Sequence, residues 1–147
     1  GKALGGEGAL LCGPRVMRDH VINRGRGFIF STAPSPLMAA CVREALRIVE
    51  EEPGRREALH DLIGYAGRKL APFGVSASGS QIMPLVLGDE ARTMQIAGAL
   101  RSAGFDIRGI RPPTVPAGSS RLRISLTLNI GRAQIDALTG TLSEILA

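Results

Sequence analysis

Apolar residues recur in the first part of the chain as two short runs and two longer, helix-like stretches. The runs at residues 9–12 and 28–30 lie between glycines and turn residues, which predicts two buried strands. A helix is predicted over about residues 14–23, because Pro14 suits its first turn and Gly25 and Gly27 follow its end. A longer apolar face with helical spacing predicts a second helix over about residues 36–52.

After a break near Pro53-Gly54 and a predicted helix over about residues 55–70 the pattern changes, and predicted strands alternate with predicted helices. The segment 121–128 alternates most clearly, with Leu122 and Ile124 on one face and Arg121 and Arg123 on the other. The whole stretch predicts an α+β unit of about three strands with helices on one face. The other predicted strands are residues 82–87 and 105–110, and the predicted helices are residues 55–70, residues 89–103 and a last helix that buries Ile135, Leu138, Leu142 and Ile145.

The composition narrows the possible classes of function. The chain has 147 residues, of which 44% are apolar, so it can bury one sizeable core or two small ones. Only 3% of the residues are aromatic, which argues against a stacking surface for single-stranded nucleic acid. The net charge is +5, but the arginines are scattered among acidic residues, so we predict no nucleic-acid partner. A basic, non-catalytic unit for assembly or nucleic-acid binding stays open as the alternative.

The sequence predicts neither a membrane segment nor a metal site. The longest apolar run, residues 82–87, is far shorter than the roughly 20 residues that span a bilayer. No charged-then-apolar leader opens the chain, so we expect a cytoplasmic protein. Cys12 and Cys41 are too few for a disulfide scaffold or a zinc cage, and we expect both to be small core residues.

One lysine near the start of the chain is a candidate nucleophile. Lys2 is followed by Ala3 instead of Ser or Thr, so the segment is not a P-loop. A lysine held against apolar walls has a lowered pKa, and its neutral amine attacks carbonyl compounds. On the residues alone, a solvated lysine without such a role is the alternative.

Three segments resemble the motifs of one family in their order and spacing. They read GKALGGEGALL, FIFSTAPSP and IRPPTVPAGSSRLRISLT. This set is similar to the α-oxoamine synthases, a family of enzymes that depend on pyridoxal 5'-phosphate (PLP). The resemblance implies an α/β chain that is the C-terminal part of a PLP-dependent transferase (aspartate aminotransferase-like) fold. Residues 1–52 would end the large cofactor-binding domain, and residues 53–147 would form the small C-terminal α+β domain.

The resemblance implies three cofactor-binding residues. Lys2 matches the catalytic lysine that binds the aldehyde of PLP covalently and later moves the α-proton of the substrate. Ser31 and Thr32 match a hydroxyl pair that binds the cofactor phosphate across a dimer, which implies a homodimer with the active site at the subunit interface. On the residues alone, Ser31 and Thr32 can also cap the helix that follows them.

The resemblance also implies three contacts with small-molecule substrates. Arg123 matches the arginine that holds the amino-acid carboxylate, and a guanidinium on a rigid strand can form two parallel hydrogen bonds to it. Thr114 matches a residue at the substrate end of the pocket. Arg111 is a candidate for contact with coenzyme A or with the acyl carboxylate. On the residues alone, a surface ion pair is the alternative for both strand arginines, and it is favoured for Arg121 over Arg123.

The implied reaction joins an amino acid to an acyl-CoA thioester, with loss of carbon dioxide, to give an amino ketone. The segment RPPTVP most resembles the family member that uses L-alanine and pimeloyl-CoA in a step of biotin biosynthesis, so the resemblance favours these substrates. Other family members, among them 5-aminolevulinate synthase, 2-amino-3-ketobutyrate CoA ligase and serine palmitoyltransferase, stay open as alternatives. Because the match covers only the C-terminal part of a family member, we expect these residues alone to be inactive.

Overall fold

The computed structural model describes residues 1–75 and 79–147, in two units that meet in sequence after Pro53. The first unit, Gly1–Pro53, contains helices only among its regular elements. The sequence suggests that residues 1–52 are the end of a large domain and that residues 53–147 are a small domain. This division stays a prediction. The helices of the first unit are α1 (Arg15–Arg24), α2 (Arg26–Ile29) and α3 (Pro36–Glu51).

The two long helices of the first unit begin and end close to the predicted residues. Pro14 is the N-cap of α1, and its carbonyl accepts from the N–H of Met17 at 3.0 Å. Gly25 ends α1, and its own N–H donates to the carbonyl of Val21 at 2.8 Å. Pro36 occupies the first turn of α3, where its missing N–H is no loss. Both predicted helices are therefore confirmed.

Both predicted strands of the first unit are wrong. Residues 9–12 form no ladder, because a strand needs a neighbour for its backbone and the described part of this unit holds none. Residues 28–30 lie largely in α2, where the carbonyl of Gly25 accepts from the N–H groups of Phe28 and Ile29 at 2.9 Å each. A short apolar run has no periodicity by which a strand can be told from a helical turn.

The first unit has no apolar core of its own, since none of the side chains of α1, α2 or α3 is buried within it. Leu10 is 88% exposed and Phe30 is 78% exposed. Cys12 and Cys41 are also exposed, so the prediction that they are core residues is wrong.

The second unit, Gly54–Ala147, contains a three-stranded antiparallel sheet in the order β1-β3-β2. The central strand is therefore the last one in sequence, and β1, which contains Pro84, lies at an edge where a missing N–H is tolerated. The predicted α+β unit of about three strands is confirmed. Its elements are α4 (Gly54–Leu70), a 3-10 turn (Ala71–Phe73), β1 (Ile82–Gly88), α5 (Glu90–Ser102), β2 (Arg108–Ile110), β3 (Ser120–Ser125) and α6 (Arg132–Leu146).

The core of the second unit lies between one face of the sheet and the helices. Leu122 and Ile124 of β3 are 0% and 2% exposed, as the alternation predicts. Burying a leucine or isoleucine side chain stabilises a fold by about 1.5–3 kcal/mol, so this face determines how the sheet is oriented. Ile135, Leu138 and Leu142 of α6 are buried in the same cluster.

A glycine on β2 brings helix α5 close to the sheet. A Cβ atom on Gly109 would lie 2.8 Å from Sδ of Met94 and 3.5 Å from Cβ of Ala97, both on α5. The neighbours of Gly109 along the strand therefore face the opposite side, because successive side chains alternate across a sheet. The side of the sheet away from α5 is called the outer face below; it carries Arg108 and Ile110 of β2 and Arg121, Arg123 and Ser125 of β3.

Residues 1–75 and 79–147 contain neither a membrane-spanning helix nor a cluster of metal ligands. None of their helices combines the length and the apolar content that a membrane crossing requires. They also bring together no group of three or more His, Cys, Asp or Glu side chains that could hold a metal ion.

Candidate functional site

Lys2 lies on a turn at the start of the first unit. Its carbonyl accepts from the N–H of Gly5 at 2.9 Å, and Gly5 adopts a φ of 63°, a conformation that favours glycine. The Lys2 side chain is exposed, so the apolar walls that the sequence suggests are not formed by the first unit. Its amine has no hydrogen bond or ion pair among the described residues.

Lys69, the only other lysine of the chain, is held on the second unit by two neighbours. Its Nζ lies 2.8 Å from Oδ1 of Asp136, and the hydroxyl of Tyr65 donates to the same carboxylate at 2.6 Å. The hydrogen bond to Asp136, followed by that to Tyr65, raises the pKa of Lys69 above its ordinary value. Since Lys69 is held as a cation by Asp136 and the amine of Lys2 has no partner among the described residues, Lys2 is the better candidate nucleophile.

Ser31 and Thr32 follow α2, and both side chains are exposed. The hydroxyl of Ser31 donates to the carbonyl of Gly27, while Thr32 has no hydrogen-bond partner among residues 1–75 and 79–147. Neither residue caps α3, because the N-cap position belongs to Ser35, so the capping alternative is wrong. A primary amine without a partner and two exposed hydroxyl groups are a donor set that fits an aldehyde carrying a phosphate group.

Arg123 is the exposed arginine at the middle of the outer face. In the sheet register it lies between Pro84 of β1 and Arg108 of β2. Its guanidinium forms no ion pair or hydrogen bond with the described residues, although its sequence neighbours Leu122 and Ile124 are buried and fix the backbone. Arg123 therefore has a backbone fixed by buried neighbours and a charged group that is free to bind a ligand.

Arg121 differs from Arg123 although both lie on the same face of β3. It is half-buried, and its Nε donates to the carbonyl of Ser119 at 2.9 Å. The predicted surface ion pair of Arg121 is absent among the described residues, and its main partner is a backbone carbonyl. Of the two arginines, Arg123 is thus the one that is available for a ligand.

Arg111 and Thr114 lie together in the loop after β2. The N–H of Thr114 donates to the carbonyl of Arg111 at 3.0 Å, so both belong to one turn. The guanidinium of Arg111 is paired with the carboxylate of Glu90, the first residue of α5. Both candidates are exposed, and Arg111 follows directly on Ile110, the residue of β2 that pairs with Arg121.

The candidate residues divide between the two units. Lys2, Ser31 and Thr32 belong to the first unit, where no hydrogen bond among the described residues joins Lys2 to either hydroxyl. The three candidates for substrate contact belong to the second unit and lie on or directly beside the outer face.

Sequence reasoning missed Arg108 and Glu90, which contact or face these candidates. The alternation of residues 105–110 does place position 108 on a polar face, but only the register shows that Arg108 lies directly opposite Arg123. Glu90 carries no sequence signal for its ion pair with Arg111, because the two residues are 21 positions apart.

Known proteins match this chain along almost its whole length. The family described as aminotransferase class I and II matches residues 1–142. An 8-amino-7-oxononanoate synthase of Anaeromyxobacter dehalogenans (strain 2CP-C) is 44% identical over 148 residues, covering 99% of this chain and 37% of the relative. Another of Cellvibrio japonicus (strain Ueda107) is 40% identical, with the same two coverages. The chain thus spans well under half the length of these curated relatives.

Solved structures match the fold at lower sequence identity. The 8-amino-7-oxononanoate synthase of Francisella tularensis has a TM-score of 0.84 at 23% identity, covering 99% of this chain and 43% of that one. The serine palmitoyltransferase of Sphingomonas wittichii also has a TM-score of 0.84, at 21% identity, covering 97% of this chain and 37% of that one. At such identities the likeness shows a shared fold, which agrees with the predicted fold class.

Proposed function

Because the chain belongs to the aminotransferase class I and II family, we propose that it serves an 8-amino-7-oxononanoate synthase activity. The reaction would condense L-alanine with pimeloyl-CoA and release carbon dioxide and coenzyme A, a step of biotin biosynthesis. The observation that carries this proposal is the 44% identity to such a synthase across 99% of the chain. Since the chain spans 37% of that relative, the activity belongs to a longer protein, and these residues alone are expected to be inactive.

Three residues of the first unit would hold the cofactor. Pyridoxal 5'-phosphate, when bound, supplies the electron sink that stabilises a carbanion at the α-carbon of an amino acid. Lys2 would bind its aldehyde carbon, since the Lys2 amine is exposed and has no partner among the described residues. The hydroxyls of Ser31 and Thr32 would donate to the phosphate oxygens of the cofactor in the neighbouring subunit of a dimer, since phosphate oxygens are strong acceptors. Lys2 would then take the α-proton.

The outer face of the second unit would hold the substrates. Arg123 would bind the carboxylate of L-alanine through two parallel hydrogen bonds, which fix its orientation as well as its charge. Arg111 and Thr114, in the turn beside the outer face, would contact the acyl donor. Arg111 would have to leave Glu90 first, an exchange that is easy because exposed ion pairs are weak.

We further propose that the intact protein is a cytoplasmic homodimer with its active site at the subunit interface. This proposal rests on the resemblance of Ser31 and Thr32 to a hydroxyl pair that binds the cofactor phosphate across a dimer. The exposed apolar side chains of the first unit, such as Leu10 and Phe30, leave surface for the rest of the longer protein or for a second subunit to cover. Residues 1–52 would then end a large cofactor domain, and residues 53–147 would be a small C-terminal domain. The helix break predicted near Pro53-Gly54 and the unit boundary there support that division.

The test of the proposed function uses the full-length protein that contains this chain. Purified with PLP, it should form an amino ketone from L-alanine and pimeloyl-CoA faster than from glycine or L-serine. Borohydride reduction followed by peptide mapping should place the cofactor on Lys2. The Lys2→Ala variant should lose this label and its activity, whereas Lys69→Ala should keep both. A label on Lys69, or none at all, would overturn the proposal.

A further inference from the structure

The outer face of the sheet places two arginines directly opposite each other. In the register of β2 and β3, Arg108 pairs with Arg123, so their Cβ atoms lie about 4.5–5.5 Å apart on the same side. Like charges in such a pair destabilise a sheet unless something neutralises them. The third strand offers no compensation, because the residue of β1 beside Arg123 is Pro84.

The charge of this face is only partly neutralised within the described chain. Asp106 binds Arg108 with two contacts, at 3.0 Å to Nε and 3.1 Å to a terminal nitrogen. Arg123 has no such partner, and Arg121 donates to a backbone carbonyl instead of an acid. Three positive charges therefore face one negative charge, which leaves a net charge of +2 on the outer face.

The contact between Asp106 and Arg108 is easily exchanged. The two side chains are 68% and 65% exposed, and ion pairs at such exposure contribute little to stability because water screens them. Arg108 can therefore turn from Asp106 to another anion without a large loss. Its strand position keeps that anion next to Arg123.

We propose that Arg108 and Arg123 act together as one binding site for an oxyanion, with Asp106 as the internal competitor for Arg108. An oxyanion accepts several hydrogen bonds at once, so two guanidinium groups side by side hold it better than one. This inference rests on the proposed function for the source of the oxyanion, which is either the carboxylate of the amino acid or a phosphate of the acyl donor. The ability to bind an oxyanion does not depend on that function.

The test measures binding to the full-length protein by isothermal titration calorimetry with three probes. L-Alanine presents a carboxylate, coenzyme A presents phosphates, and inorganic pyrophosphate is an anion that needs no catalytic competence. The variants are Arg108→Gln, Asp106→Asn and the double variant, and Arg101→Gln on α5 is the matched control because Arg101 is an exposed arginine away from the outer face. L-Alaninamide, which lacks the carboxylate, is the matched control for L-alanine.

The two single substitutions should change affinity in opposite directions. We expect Arg108→Gln to weaken the binding of pyrophosphate about tenfold, and that of L-alanine or coenzyme A by a similar factor, because a charge-assisted contact is lost. Asp106→Asn should tighten the same ligands by about twofold to fivefold, since it removes a weak competing partner. In the Arg108→Gln background, Asp106→Asn should have no effect, because the competition acts only through Arg108.

The pattern across the probes identifies the source of the oxyanion. If Arg108→Gln weakens the binding of L-alanine but not that of L-alaninamide, the site takes the amino-acid carboxylate. If Arg108→Gln weakens the binding of coenzyme A, the site takes a phosphate. If the protein forms no amino ketone but pyrophosphate still depends on Arg108, the proposed function fails and the paired site stands. If Arg108→Gln changes the affinity for every probe no more than Arg101→Gln does, the proposal of a paired site is wrong.

Discussion

Arg123, at the middle of the outer face, permits a direct test, because its substitution removes no hydrogen bond or ion pair among the described residues. Arg123 is exposed, and its guanidinium forms no hydrogen bond or ion pair with residues 1–75 and 79–147. Its replacement should change stability by less than about 0.5 kcal/mol, as is usual for surface positions. The sign should be slightly stabilising, because Arg108 then no longer faces a like charge.

The expected loss of L-alanine affinity follows from the contacts that each substitution can keep. A hydrogen bond to a charged group contributes about 1.5–3 kcal/mol, and exposure of Arg123 favours the lower end of that range. Arg123→Lys keeps the charge but only one contact, so we expect about 1.5 kcal/mol, or roughly tenfold weaker binding. Arg123→Gln loses the charge and both strong contacts, so we expect about 3 kcal/mol, or roughly 100-fold.

The assay follows the visible absorbance of the PLP-loaded full-length protein while L-alanine is added. The absorbance before addition should be the same in wild type, Arg123→Lys and Arg123→Gln, since Arg123 is not a cofactor residue in the proposal. Arg101→Gln should bind L-alanine like wild type. Unchanged affinity in Arg123→Gln would refute the assignment, and a loss in Arg121→Gln instead would place the carboxylate at Arg121.

Two further predictions concern the scaffold of the second unit. Leu122→Ala, at a side chain that is 0% exposed, should destabilise the protein by about 3 kcal/mol in urea unfolding, whereas Leu128→Ala, 45% exposed, should lose less than about 1 kcal/mol; equal losses would contradict the proposed core. Hydrogen bonds from Lys69 and Tyr65 lower the pKa of Asp136, so its stabilising contribution is present above the ordinary pKa of about 3.9 and is lost as pH falls through the lower folded value. The pKa of Lys69 is raised, so its contribution is present below about pH 10.4 and is lost as pH rises through the higher folded value. Asp136→Asn should therefore lower the unfolding midpoint more at about pH 7 than at about pH 2, and an equal difference at both pH values would refute this coupling.

The elements that the sequence predicts well are those whose ends carry their own chemical signals. Helix α1 begins directly after Pro14 and helix α3 begins at Pro36. Their observed bounds, Arg15–Arg24 and Pro36–Glu51, differ from the predicted ones by one residue at each end or less. The strand β3 was recognisable because alternating leucine, isoleucine and arginine leave only one face that can be buried.

The elements that the sequence predicts poorly depend on contacts outside their own residues. Residues 28–30 are apolar and short, and nothing local distinguishes a strand from the observed turn of helix α2. The predicted strand 105–110 is reduced to Arg108–Ile110, because the N–H of Phe105 donates to the carbonyl of Leu100 at 2.9 Å as part of the turn that ends α5. That hydrogen bond joins residues whose approach depends on the positive φ of Gly104, at 92°.

The same distinction holds within the candidate site. The face on which Arg123 lies follows from β3 alone, because a slip of one residue would bury its charge and expose Leu122 and Ile124. The partner of Arg123 does not follow in this way, since β2 has three residues and too short a pattern to define a register. Its register depends on Gly109, the residue of β2 without a Cβ atom, which alone fits against Met94 and Ala97 of α5. A shift by one position would press Arg108 or Ile110 into that helix, so packing against α5 is what sets Arg108 opposite Arg123.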